Sequence, residues 1–117
     1  MDKWIDRFFC GLLALGAAGH LFGTLQLSGV GTSLFVWSLS GVLAAGLLSW
    51  LNFLRVARPR DEALAWVTLA GNLGWLLIVL LFGHSLGNYL DFRVLFHGIA
   101  TAGLVFFSYR TLFISRS

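Results

Sequence analysis

Three histidines are the side chains in this sequence best suited to chemistry: His20, His84 and His97. His20 lies in GAAGHLFGT (Gly16–Thr24), within a stretch that carries no charged residue from Phe8 to Leu54. An imidazole can ligate a metal or haem iron, exchange a proton, or hydrogen-bond to a ligand. Helical spacing puts Thr24 on the same face as His20 and Gly16, and it aligns Arg93, His97 and Thr101 into a second polar stripe continued by Ser108. Thr68 and Asn72 form a third polar pair.

These residues suit several cofactors. Haem would use His20 and His97 as axial ligands from facing helices, with Thr24, Arg93 and Thr101 around it. A copper or zinc ion would use His84, His97 and Asp91, although no HxxxH or HxxE spacing supports it. A quinone or lipid head group would use His20 or His97 with Arg93, among tryptophans. Against all three stands a plainer role, in which a buried histidine hydrogen-bonds across helices, Asp91 caps a helix and Arg93 reaches head groups. Catalysis has little support. No serine, cysteine or carboxylate nucleophile comes with a recognisable base, and there is no phosphate-binding loop. The lone cysteine, Cys10, excludes an intramolecular disulfide and a CxxC pair.

The elements that must position these groups follow from composition. Only 11% of the 117 residues are charged, against about 25% in soluble domains, and mean hydropathy is +0.86. A membrane crossing needs about 20 predominantly apolar residues. Four stretches qualify, 8–27, 34–54, 63–82 and 94–114, none containing a carboxylate. The expected fold is all-α: an integral membrane four-helix bundle, antiparallel up-down-up-down, forming a single membrane domain with no room for a soluble one. SGVGTS (Ser28–Ser33) reads as the first turn. Pro59, Asp61 and Glu62 read as the start of the third helix, and Asp91 as the cap of the fourth. An apolar run behind Lys3 and Arg7 also raises a cleaved signal peptide, but the run continues to Leu27, long enough to span.

Lys3, Arg7, Arg55, Arg58, Arg60, Arg110 and Arg116 fall on one side of such a bundle and Arg93 alone on the other. That bias places both termini in the cytoplasm, and a compact chain without a transit sequence suits a bacterial inner membrane. Basic residues at segment ends form no continuous stripe, so nucleic acid is not an expected partner. The expected partners are the bilayer and other membrane subunits, or copies of the chain. Small residues spaced for close packing support this: Gly19–Gly23, Gly41–Ala45, Gly98–Ala102, and Gly71 with Gly74. The polar residues are expected to meet in a pocket between the first and fourth helices near the outer face. The functional expectation is a non-catalytic accessory subunit of a larger membrane complex. The alternative is a histidine-ligated redox or ligand-binding protein.

Overall fold

Three turns punctuate the chain, and each is built by residues suited to it. Gly31 takes a positive φ of 86° just before Thr32, whose hydroxyl accepts the Phe35 amide and caps the next helix. Asp61 accepts the Leu64 amide at 3.0 Å, and Asp91 the Arg93 amide at 3.0 Å. Gly87, at φ 64°, ends the third helix in a left-handed residue whose amide returns to the last turn.

Between these turns the computed structural model, which describes residues 2–27 and 29–114, has four helices and no strand among the described residues. They are α1 (Asp2–Leu27), α2 (Ser33–Ala57), α3 (Glu62–Leu86) and α4 (Phe92–Phe113). All four are long and apolar enough to cross a membrane. The third helix begins at Glu62, behind Asp61, and not at Pro59. Ser28 of the expected loop and Arg116 of the basic set lie outside the described residues.

α1 packs closely along α2, and α3 along α4. α4 also lies against α1, while α2 touches α3 more sparsely. Alanines, leucines and Cys10 from α1, α2 and α4 form the main apolar core, with Trp75 of α3 packed against it. The molecule extends 50 Å along its longest axis. Its two ends differ chemically. One holds Asp6, Arg55 and Thr111, and is called the near end below. The other, towards the turns at 29–32 and 87–91, holds His20, His84 and His97.

The glycines expected to bring helices together divide. A Cβ on Gly19, Gly23 or Gly74 would meet nothing within 4 Å, whereas Gly41 lies against His20 of α1 and Gly71 against Leu48 of α2. Further close approaches are Gly103 against the Phe9 ring, and Gly83 against Tyr89 and Val94.

Candidate functional site

At the near end, Asp6 and Arg55 form a bidentate ion pair, at 2.7 and 2.8 Å, inside the helix packing. Arg55 is 1% exposed. The sequence reading treated it as one of the basic residues at a helix end, and it counted no carboxylate within a span. α1 begins early enough to carry Asp6 inward, and the pair cancels as a net charge. All five guanidinium N–H groups find acceptors: the Asp6 carboxylate, the Thr111 hydroxyl and the Asn52 side-chain oxygen.

The network continues along the core. The Asn52 amide donates to the Leu48 carbonyl at 2.9 Å and to Asn72 Oδ1 at 2.8 Å. Asn72 donates back to Asn52 Oδ1 at 3.1 Å, and to the Leu104 carbonyl and the Ser108 hydroxyl, each at 3.2 Å. One carboxamide pair thus ties α2 to α3 and α4. Thr68 is not Asn72's partner; its hydroxyl donates to its own helix at Ala65. Each of these buried groups already has its hydrogen bonds. Both Asp6 oxygens are bonded to the Arg55 guanidinium, which leaves the carboxylate poorly placed to accept a substrate proton. This cluster joins all four helices through side-chain hydrogen bonds.

The far end is different. His20 lies on the inward face of α1, with buried Gly16, Ala17 and Thr24 as neighbours on the helix, yet its own ring is exposed. Its Nε2–H donates to the Ser38 carbonyl of α2 at 3.1 Å. Gly41 makes that possible, since a Cβ there would stand 3.1 Å from His20 Nε2. His97 faces α1 at Gly16, where a Cβ would fall 2.8 Å from its Cε1 and 3.0 Å from its Nε2. Its other side meets Trp75, with ring centroids 5.9 Å apart in an edge contact. Gly16 and Gly41 are therefore the clearances for two imidazoles, His97 and His20.

Between α1 and α4, where the pocket was expected, the His97 ring lies against Gly16. α2 and α3 touch each other only sparsely. No residue from 33 to 44 of α2 is buried. Trp75 Cη2 lies 4.0 Å from where a Gly41 Cβ would stand. His97 Nδ1 and Trp75 Nε1 are buried and without hydrogen-bond partners.

The remaining predicted residues are spread out. Thr24 and Thr101 each donate to the carbonyl four residues back, those of His20 and His97. Arg93 is exposed, bonded to Asp91 at 3.0 and 3.1 Å and lying 5.1 Å from the Phe82 ring centre. Hydrogen bonds from Arg93 hold the Asp91 carboxyl below the usual carboxylate range. His84 is exposed, with Nδ1 3.5 Å from the Tyr89 hydroxyl. Among the described residues no three His, Cys, Asp or Glu side chains come together to hold a metal ion. For haem, one imidazole has its Nε2 on a backbone carbonyl and the other has its Nε2 against α1.

Asp6, Asn52, Ser38 and Trp75 are the partners that residue spacing within single helices did not reveal. Comparison with family models, curated proteins and solved structures finds no match to the chain.

Proposed function

We propose that the chain is an antiparallel four-helix protein of a bacterial inner membrane, with both termini cytoplasmic, and that it serves as a non-catalytic accessory subunit packing against a larger membrane complex. The observation that carries this reading is the unburied turn-side half of α2. From 33 to 44 even the face turned towards the other helices is incompletely covered, and Leu34, Val36, Trp37 and Leu43 are exposed. In a bilayer, lipid covers an apolar face as well as protein does. A partner helix gains by close packing and by hydrogen-bonding groups that lipid tails leave unpaired. Ser38 and Ser40 lie on this half of α2, with His20 beside it. The closed near-end network supports the same reading, since it fixes the helices and offers no reacting group.

The test is native purification in mild detergent, with a photo-crosslinking residue at Trp37 or Leu43 and, as control, at Ile78 on the exposed face of α3. The expected result is a stoichiometric membrane partner crosslinked from α2 and not from Ile78. Recovery of the chain alone, with no crosslink from α2, contradicts the proposal.

A further inference from the structure

The Asp6–Arg55 bond sets the register of the α1–α2 hairpin at the near end. The two helices run antiparallel, so three residues further out on each, Lys3 of α1 and Arg58 at the C-cap of α2 come to one level. Both are exposed, as is Arg7, one turn inward from Lys3 on the same face of α1. Among the described residues no side-chain hydrogen bond or ion pair joins any of the three to a carboxylate. Asp6 is engaged by Arg55, and the Asp61 side chain accepts the Leu64 amide. Like charges at one level repel each other unless an anion joins them.

The neighbours of these cations say which anion. Trp4, Ile5 and Phe8, interleaved with Lys3 and Arg7, are all exposed. In a bilayer such side chains lie against lipid, with tryptophan at the level of the head groups. The Arg7 guanidinium lies 5.4 Å from the Trp4 ring centre. Stacked in that way, it keeps its in-plane N–H groups for phosphate oxygens. At the far end Arg93 is already bonded to Asp91.

We infer that the near-end rim of the α1–α2 hairpin, with Lys3, Arg7 and Arg58, binds the phosphate of an acidic phospholipid. The inference rests on the helices crossing a bilayer and needs no partner subunit. A zwitterionic lipid is a poorer occupant, because its ammonium group meets the same cations. A water-soluble acidic protein is poorer too, because Lys3 and Arg7 are flanked by side chains that lipid covers.

The experiment is tryptophan quenching of the full chain in phosphatidylcholine bilayers holding a minor share of phosphatidylglycerol. Brominated acyl chains are carried by one lipid or the other, at equal mole fraction. The difference between the unmodified chain and Trp4→Phe isolates the signal at Trp4. Brominated phosphatidylglycerol should quench Trp4 more, with a preference of about fivefold for each cation engaged. Lys3→Gln and Arg58→Gln should each lower that preference about fivefold, and Arg93→Gln should leave it unchanged. Added salt should lower it equally as chloride or as inorganic phosphate at matched ionic strength. Equal quenching by the two lipids overturns the inference, as does a preference that Arg93→Gln lowers as much as Arg58→Gln. Displacement by phosphate but not by chloride assigns the site to a free anion and overturns it as well. Quenching by neither lipid overturns the bilayer crossings and the inference together.

Discussion

At the scale of single residues, the chain separates polar groups that are satisfied from those that are not. Arg55 uses every donor it has, and Asp6 meets it with both oxygens. Such a pair is costly to break, because removing one partner strands a buried charge. Asp6→Ala or Arg55→Ala should destabilise the fold by about 3–5 kcal/mol. The double replacement Asp6→Leu with Arg55→Met, which leaves no charge behind, should recover most of that loss. Reversible unfolding in mixed detergent micelles measures all three variants. A double variant no more stable than the singles would show that the pair contributes through something other than mutual neutralisation. At the opposite end His97 Nδ1 and Trp75 Nε1 are buried without hydrogen-bond partners, and a buried polar atom left so is costly.

At the scale of helices, glycine positions discriminate between open surface and close approach. Gly16→Ala should be destabilising, since the new methyl would meet the His97 ring at 2.8 Å and the ring is held from behind by Trp75. Gly103→Ala should be worse, with the Phe9 ring in its way and that ring itself packed on Phe8 and Phe107. Gly71→Ala should be mild, because the atom it meets is the end of the flexible Leu48 side chain. Gly19→Ala and Gly74→Ala meet nothing within 4 Å. They should be neutral, or stabilising by up to about 1 kcal/mol through helix propensity. Thermal denaturation of the five variants gives the order directly, and equal loss at Gly19 and Gly16 would contradict the packing described.

The helices themselves were legible in the sequence because a crossing has a length and a composition. The turn chemistry at Asp61 and Asp91 was legible for similarly local reasons. The polar contacts were not, because they join positions far apart in sequence. Yet a signal was present. In a helical hairpin, residues equally distant from the turn come together. Asp6 and Arg55 are so placed about the turn at 29–32, as are His20 with Ser38 and Gly41. Asn72 stands in the same relation to Leu104 and Ser108 about the turn at 87–91. Reading each helix for its own stripe paired Thr68 with Asn72 and missed Asn52. Nor did it show that the His97 ring lies against Gly16 of α1.

At the scale of the whole molecule, the central claim is that these four helices cross a bilayer in turn, with the arginine-bearing connector opposite the two glycine-containing turns. The charges that support this sidedness are fewer than a bare count suggests, since Arg55 is neutralised by Asp6. Lys3, Arg7, Arg58, Arg60 and Arg110 still share one end. The most direct measurement is cysteine accessibility in intact cells, in a Cys10→Ser background, with single cysteines at Arg58, Val30 and Asn88. Membrane-impermeant maleimide should label the Val30 and Asn88 positions from outside and reach Arg58 only after lysis. Labelling of Arg58 from outside would reverse the proposed orientation. Labelling of all three positions from the same side would contradict the four crossings themselves.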